Sequence, residues 1–333
     1  MKRLLSFATA FAIGLGTIGT ASAEPKKEFN IAWTIYVGWM PWPYAADSGI
    51  VKKWADKYGI TINVTQINDY VESINQYTAG KFDGVTVTNM DALTIPAAGG
   101  VDTTAIIMGD YSNGNDMIIA RPGIHTLQEL KGRKIGIEIG LVEHMLLLNG
   151  LQKIGMSGDD VTLVNSKTNE TPQVLASGQV DAIGAWQPNS GMAMKALPGS
   201  RPVFTSAQLP GLIYDVLAVS PASLAAHRAE YTRLVGVWDR VVSYINDPKT
   251  QQDAVQIMAA RVGLTAAQYQ PLLAGTHLLG IAEARKVFAK GDGLDSLYGS
   301  SRNADAFNVR YHVYPQPQNV DGYIEPALTL AQP

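Results

Sequence analysis

Residues 84–98 read GVTVTNMDALTIPAA, a short apolar strand pattern followed at once by a helical pattern. The segment Gly84–Thr88 predicts a strand buried on both faces, and the segment from Asp91 to Ala98 predicts a helix packed beside it. The same strand-then-helix unit recurs on both sides of this stretch. That alternation predicts an α/β fold with parallel sheets and helices on their faces.

Working outward from residue 84, the unit repeats with predicted strands at 29–35, 60–66 and 103–108 and predicted helices at 44–57 and 71–79. A polar, turn-rich segment at 111–115 then interrupts the pattern. A second round of strands and helices follows, and the chain is mainly helical beyond Pro221. The sequence therefore predicts two lobes rather than one continuous sheet.

The predicted lobes are joined by two crossovers, one near Asp110 and one near Tyr214. We expect residues 24–110 to form the first part of lobe 1 and 111–214 to form lobe 2. Residues 215–333 would return to lobe 1 and add C-terminal helices. Because 333 residues exceed what one hydrophobic core usually holds, two lobes also fit the length. Open α/β sheets bind ligands at the carboxyl ends of their strands, which predicts a cleft between the lobes.

The composition excludes several classes of protein. The chain has 26 Lys and Arg against 29 Asp and Glu, a net charge of −3, so it lacks the basic excess of a nucleic-acid binder. It contains no cysteine, which excludes disulfides, thiol nucleophiles and zinc–cysteine sites. The five histidines are far apart with no ligand spacing, so we expect no metal site and no cofactor.

The N-terminal segment predicts export. Lys2 and Arg3 precede an apolar run at 4–18, and Ala21-Ser22-Ala23 gives the small-x-small pattern that signal peptidase cleaves. The alternative is an N-terminal membrane anchor, but a membrane span needs about 20 apolar residues. We therefore expect residues 1–23 to be a cleaved signal peptide and the protein to be periplasmic.

Large aromatic residues cluster directly after the first predicted strand. Tyr36, Trp39 and Trp42 follow Trp33 within ten residues, and Pro41 and Pro43 predict a stiff loop rather than a helix there. Such rings either pack the core or form a binding surface. We expect Trp33 to pack in the core and Trp39 and Trp42 to face a ligand. Trp186 ends a strand of the second lobe and either closes over the ligand or packs between the lobes.

Carboxylates recur at the ends of predicted strands. Asp91 and its neighbour Asn89 follow the third strand, Glu138 follows a strand of lobe 2, and Asp215 lies at the second crossover. Asp91 could instead stabilise the start of a helix. A buried carboxylate needs a partner, which for Glu138 and Asp215 is either a cationic ligand or an internal Arg or Lys.

Several segments resemble the periplasmic substrate-binding proteins of ABC importers, of the nitrate, sulfonate and taurine type. The matching segments are Trp39–Ile50, Gly80–Gly84 and Gly178–Ala182. Gly38–Tyr44, Gly291–Gly299 and Ala306–Val309 are similar to the subgroup encoded beside urea carboxylase. That resemblance implies a type II-like two-lobe binding-protein fold and a permease as partner. It also implies urea or guanidine as the ligand of a non-enzymatic, monomeric protein.

One segment departs from the anion binders that this chain resembles. They place Gly-Ser-Ser or a similar sequence at the start of a helix in the second lobe, where hydroxyls and backbone N–H groups hold the anion. Here the corresponding residues are Gly140-Leu141-Val142-Glu143, with no hydroxyl and an added negative charge. We therefore expect a cationic or neutral ligand, guanidinium before urea. The alternatives are a pyrimidine, an alkyl amine, a sulfonate or nitrate, and an enzyme resembling pyrimidine synthases.

Overall fold

The two sheets of the fold are built from strands that lie in both halves of the chain. The computed structural model describes residues 26–333, so the predicted signal peptide at 1–23 lies outside the described residues. The strands are β1 (Glu28–Trp33), β2 (Thr61–Gln66), β3 (Gly84–Thr88), β4 (Thr104–Ser112), β5 (Asp116–Ala120), β6 (Lys134–Ile137), β7 (Thr162–Asn165), β8 (Ala182–Trp186), β9 (Arg201–Thr205), β10 (Tyr214–Val219) and β11 (Thr276–Leu278).

Helices cover the faces of both sheets and dominate the last third of the chain. They are α1 (Pro41–Asp47), α2 (Ile50–Lys57), α3 (Tyr70–Thr78), α4 (Asn89–Ala98), α5 (Val142–Lys153), α6 (Thr171–Ser177), α7 (Asn189–Ala196), α8 (Pro221–Ala226), α9 (Arg228–Asn246), α10 (Gln251–Arg261), α11 (Ala266–Ala274), α12 (Ile281–Val287), α13 (Leu297–Arg310), α14 (Val320–Tyr323) and α15 (Ala327–Leu330).

The predicted two-lobe α/β fold is confirmed, but its sheets are mixed rather than wholly parallel. The first sheet has the order β11-β4-β10-β3-β1-β2, and the second has the order β7-β6-β8-β5-β9. β10 runs antiparallel to β3 and β4, and β5 runs antiparallel to β8 and β9. These reversals arise where the chain passes from one sheet to the other, between β4 and β5 and between β9 and β10. A strand that enters a sheet from the opposite lobe runs against its neighbours.

The strand reversals decide which side chains meet. Asp215, at the start of β10, pairs with Thr88 at the end of β3 and with Asp110 on β4. In the second sheet, Asp116 at the start of β5 pairs with Trp186 at the end of β8. Acidic residues from both sheets therefore lie at the edges where the parallel strands end, as the cleft prediction requires.

The aromatic segment after β1 is helical, so the predicted loop there is wrong. Val37–Trp39 forms a 3-10 turn, and α1 begins at Pro41. Proline is compatible with the first turn of a helix, because the N–H it lacks has no partner inside the helix there. The predicted helix at 44–57 is two helices, which separate at Gly49 with φ of 77°.

One extensive core contains apolar side chains of the first sheet, of α1 and of α9, and it continues into the second lobe through α5 and β6. A smaller core lies beside β8 in the second lobe. Among residues 26–333, no helix is both long and apolar enough to cross a membrane.

Candidate functional site

Four carboxyl groups converge between the two sheets. Asp110 and Asp215 come from the first lobe, and Asp116 and Glu143 come from the second. At most 3% of the surface of each of these residues is exposed. We call these four residues the acidic cluster. Because residues of both lobes bury the acidic cluster, it lies in the predicted cleft between the lobes.

The first-lobe pair forms because β4 and β10 place Asp110 opposite Asp215. Burial raises the pKa of Asp110 to about 7, and the nearby charge of Asp116 adds to the rise. Burial and the charge of Asp110 raise the pKa of Asp215 well above its usual range. The pair therefore holds a proton near neutral pH unless a cation replaces it.

The second-lobe pair forms because β8 carries a glycine where α5 approaches it. A Cβ atom at Gly184 would lie 2.8 Å from Cβ of Glu143, so only glycine admits this approach. Burial raises the pKa of Asp116 to about 6 and that of Glu143 well above its usual range. Asp116 also raises the pKa of Glu143, so the two lobes each supply one coupled acidic pair.

In the part of the chain that the structure describes, no basic side chain pairs with the cluster. Within residues 26–333, none of the ion pairs of Lys, Arg or His involves any of its four carboxyl groups. Among the described residues, both carboxylate oxygens of Asp110 and of Glu143 have no N–H or hydroxyl donor, and neither do Asp116 Oδ2 and Asp215 Oδ2. Within each pair the two carboxyl groups hydrogen-bond to each other, Asp110 to Asp215 and Asp116 to Glu143. Buried ionised carboxylates need a compensating donor or charge. Each pair is therefore satisfied either by a shared proton or by an external donor of several N–H groups.

The acidic residues are not arranged as a metal centre. In the part of the chain that the structure describes, no group of three or more His, Cys, Asp or Glu is placed to hold a metal ion. Divalent cations that prefer oxygen take six or more ligands in a defined geometry. The arrangement fits an organic cation better than a metal.

Aromatic rings border the acidic cluster. The ring centroids of Tyr36 and Trp39 lie 5.3 Å apart, and those of Trp39 and Tyr70 lie 5.4 Å apart. The indole N–H of Trp39 faces Asp215 and opposes the rise in the pKa of that carboxyl. Burial raises the pKa of Tyr36 far above its usual range, and Asp116 adds to the rise, so its hydroxyl stays a donor.

Trp42 occupies a different place from Trp39. Its ring stacks on Trp238 of α9, with centroids 5.0 Å apart and an interplanar angle of 29°. Only 3% of its surface is exposed, and its neighbours belong to the first-lobe core. The structure therefore places Trp42 in packing between α1 and α9.

Asn89 is committed to hydrogen bonds inside the first lobe. Its amide donates to Ser300 Oγ at 3.0 Å, its side-chain oxygen accepts from the Tyr214 N–H at 3.1 Å, and its carbonyl accepts from the Tyr323 hydroxyl at 3.0 Å. These bonds connect α4 with β10, α13 and α14. They account for its polar groups without a ligand.

Asp91 lies beside the acidic cluster and has one free oxygen. Its Oδ2 accepts from the hydroxyls of Tyr70 and Thr88, each at 2.9 Å, while Oδ1 has no partner. Burial raises its pKa to about 7, although these two hydrogen bonds act to lower it. Asp91 therefore combines the helix-start role with a position at the cleft.

Glu138 lies further out, at a cavity of about 570 Å³ between the lobes. Its Oε2 accepts from the Thr168 hydroxyl at 2.9 Å, and burial raises its pKa. Tyr70 and Trp186 line the same cavity. We call this space the mouth cavity.

The two lobes touch directly around the cleft. The indole N–H of Trp186 donates to the Ile35 carbonyl at 3.2 Å, and the Val37 N–H donates to the Gln187 carbonyl at 3.3 Å. Lys167 and Asp69 form an ion pair across the same opening. The structure is therefore a closed arrangement of the lobes.

The sequence predicts some of the residues at this cleft but not all of them. The predicted residues that lie there include Tyr36, Trp39, Asp91, Trp186 and Asp215. Asp110 and Glu143 stand out only as acidic residues near strand ends, and Asp116 and Tyr70 were not singled out. Asp116 begins an antiparallel strand, so its place at the cleft depends on the pairing of β5 with β8. A signal was available in the polar segment before β5, which marks a chain reversal between the sheets.

A stability prediction follows from the acidic cluster. Carboxyls with raised pKa stabilise the fold fully below pH about 4, and this stabilisation is lost as the pH rises through about 7. The free energy of unfolding of the ligand-free protein should therefore fall between pH 5 and pH 8. In Asp110→Asn the fall should be smaller by about 2 kcal/mol, because one group no longer has to ionise in the core.

Denaturant titrations of both proteins at pH 5 and pH 8 measure this difference. His144 acts in the opposite direction, since burial lowers its pKa to about 4, but it is common to both proteins. An identical pH dependence for the variant and the wild type would contradict the account of the cluster.

Comparison with known proteins shows the family of the sequence and, separately, the fold of the chain. Residues 48–251 match the family model described as NMT1/THI5 like, and the chain belongs to this family. A protein of Brucella abortus named as a binding protein is 30% identical over 200 residues. That alignment spans 60% of this chain and 60% of the length of the curated relative.

Two solved structures show the same fold. The alkanesulfonate-binding protein SsuA of Xanthomonas axonopodis pv. citri, solved with MOPS, matches with a TM-score of 0.74 at 16% identity, covering 91% of this chain and 99% of that one. The periplasmic nitrate-binding protein NrtA of Synechocystis PCC 6803 matches with a TM-score of 0.72 at 12% identity, covering 91% and 87%. At these identities the likeness concerns the fold.

Proposed function

We propose that this protein is the solute-binding component of an ABC importer and that it captures guanidinium in the periplasm. The single observation that carries the proposal is the acidic cluster, four buried carboxyl groups that have no ion pair within residues 26–333. A ligand with positive charge and many N–H groups satisfies such a site. Membership of the family and the two-lobe fold support the transport role.

Guanidinium matches the donors that the site lacks. Its planar array of N–H groups pairs with a carboxylate through two parallel hydrogen bonds. Asp110 and Asp215 offer three oxygens that have no N–H or hydroxyl donor within residues 26–333, and the Trp39 ring borders them with its indole N–H towards Asp215. A desolvated cation over such a ring gains about 2 kcal/mol. One positive charge cannot balance four carboxylates, so the second-lobe carboxyls keep protons, in agreement with the raised pKa of Glu143.

Anionic ligands fit the site poorly. Glu143 is fully buried in the first turn of α5, at the place where the anion binders that the chain resembles supply hydroxyls. A sulfonate or nitrate there would meet Glu143 and Asp116 rather than donors. The resemblance of Gly38–Tyr44 to the subgroup encoded beside urea carboxylase supports the same choice of ligand. Urea is the second candidate, since it has the same planar shape without the charge.

The transport role follows the mechanics of the fold. A ligand that contacts both lobes binds the closed form more tightly than the open form and so shifts the protein towards closure. Asp110 and Asp215 lie on one lobe and Asp116 and Glu143 on the other, so a single cation between them links the lobes. We propose that a monomer, without cofactor, then delivers the ligand to a membrane permease.

An enzymatic role is the rival from another class. It would need a reactive His or Lys at the cluster, and His144, the neighbour of Glu143, accepts a hydrogen bond from the Gly140 N–H and packs on Phe307 instead. Turnover of guanidine by the purified protein would favour the enzyme. Recovery of unchanged guanidine supports binding alone.

Isothermal titration of the protein from residue 24 onward with guanidinium chloride, urea and taurine tests the proposal. For the four heavy atoms of guanidinium, about 1.5 kcal/mol per atom sets a ceiling of roughly 6 kcal/mol, a dissociation constant of some tens of micromolar. We expect saturable guanidinium binding near this value, much weaker urea binding and none for taurine. Urea binding with no guanidinium binding would contradict the role of the carboxylates. Taurine binding would overturn the cationic site.

The two tryptophans of the aromatic segment should separate binding from packing. Trp39→Ala is expected to weaken guanidinium binding by about 30-fold, because the ring that borders the acidic cluster is lost together with its N–H towards Asp215. Trp42→Ala should instead lower the free energy of unfolding by about 3 to 5 kcal/mol, because it empties a stacked core position. Its folded fraction should bind guanidinium normally. Titration and denaturation of both variants check this, and equal loss of affinity in the two would refute the distinction.

A further inference from the structure

The mouth cavity and the acidic cluster are neighbouring compartments separated by two aromatic rings. Tyr70 and Trp186 line the mouth cavity, and their ring centroids lie 5.2 Å apart at an angle of 80°. On the inner side, Trp186 pairs across the sheet with Asp116, and Tyr70 packs on Trp39 and donates to Asp91. The two rings come from different lobes, so closure of the lobes brings them together.

The inner compartment has little spare room. A Cβ atom at Gly38 would lie 2.3 Å from Asp110 Oδ2 and 2.5 Å from Cε1 of Tyr36. On the opposite lobe, Gly184 is in similar close contact with Glu143. The wall residues of the acidic cluster are therefore in direct contact with one another in both lobes. The space that both rings line is the mouth cavity of about 570 Å³.

We propose that the Tyr70–Trp186 pair is a specificity wall that restricts the site to unsubstituted guanidinium. The proposal rests on the proposed function and names the ligand class within it. An N-alkyl substituent would have to pass between the two rings into the mouth cavity, which would separate the lobes and break the Trp186 bond to the Ile35 carbonyl. Removal of the Trp186 ring opens the inner compartment to the mouth cavity, where Thr34, Thr168 and Met192 leave space for a substituent.

The test compares guanidinium with methylguanidine by isothermal titration in the wild type, Trp186→Ala and Trp186→Phe. A hydrophobic pocket discriminates against one extra methyl group by about 10- to 200-fold, so the wild type should favour guanidinium by at least about 10-fold. In Trp186→Ala the preference should fall to about 1-fold or reverse. Trp186→Phe retains a ring but loses the N–H, and should therefore keep the preference while affinity for both ligands falls.

Thermal unfolding of each variant shows whether it is folded. If Trp186→Ala does not fold, the ratio of the wild-type affinities for guanidinium and methylguanidine still tests the proposal. Equal affinity of the wild type for both ligands overturns the wall and leaves the proposed function intact. An unchanged preference in folded Trp186→Ala also overturns it. A wild type that binds neither ligand refutes the proposed function and the wall with it.

Discussion

Asp215→Asn is expected to weaken guanidinium binding by about 30-fold or more, because removal of one member of a buried charge pair costs at least about 2 kcal/mol. Asp215 is 1% exposed, and its Oδ2 has no partner within the described chain. The substitution keeps the shape of the side chain but places an amide N–H₂ where the ligand also presents N–H groups. The loss of affinity should therefore exceed the loss of a single neutral hydrogen bond.

The matched control is Asp159→Asn, which makes the same chemical change at an exposed residue of a 3-10 turn in the second lobe. It should leave the dissociation constant unchanged. Without ligand, Asp215→Asn should unfold at the same or a higher temperature than the wild type, because a buried carboxyl near Asp110 is removed. Wild-type affinity in Asp215→Asn would show that the ligand does not contact the acidic cluster.

Gly38→Ala is expected to abolish guanidinium binding at millimolar ligand concentrations. The added Cβ would overlap the Asp110 carboxylate and the Tyr36 ring, which are both buried in the cleft. Asp110 would have to turn away from Asp215, and the oxygens that we assign to the ligand would separate. Because Gly38 lies in the 3-10 turn before α1, the defect should be local.

Gly236→Ala is the control for the extra methyl group. Gly236 lies in α9, and its added Cβ would meet only the flexible end of Gln332, at 3.2 Å. Alanine favours a helix interior by about 1 kcal/mol over glycine, so this variant should be as stable as the wild type or more so. Titration with guanidinium should give wild-type affinity for Gly236→Ala and no saturable binding for Gly38→Ala. Normal binding by a folded Gly38→Ala would refute the assigned position of the ligand.

Local sequence patterns were sufficient to predict the two-lobe fold. The apolar segment Gly84–Thr88 is a strand with all five residues buried, and the helical pattern after it is α4. The reversed directions of β5 and β10 were not predictable in the same way, because strand pairing between distant segments leaves no local periodicity. The sheets are consequently mixed.

The same limit applies to the candidate site. Asp215 could be selected from its apolar neighbours, but its partner Asp110 is fixed only by the pairing of β10 with β4. Trp42 resembled Trp39 in sequence, yet the start of α1 at Pro41 turns its ring onto Trp238 in the core. Asn89 looked like a ligand contact, and its groups are taken by residues more than a hundred positions away.

The most direct measurement of the central claim is a crystal structure of the protein grown with guanidinium chloride at a few times the measured dissociation constant. The account predicts a planar ligand between the lobes, with its N–H groups on Asp110 and Asp215 and its face on Trp39. A ligand in the mouth cavity, outside the Tyr70–Trp186 pair, would contradict the assignment of the acidic cluster as the binding site.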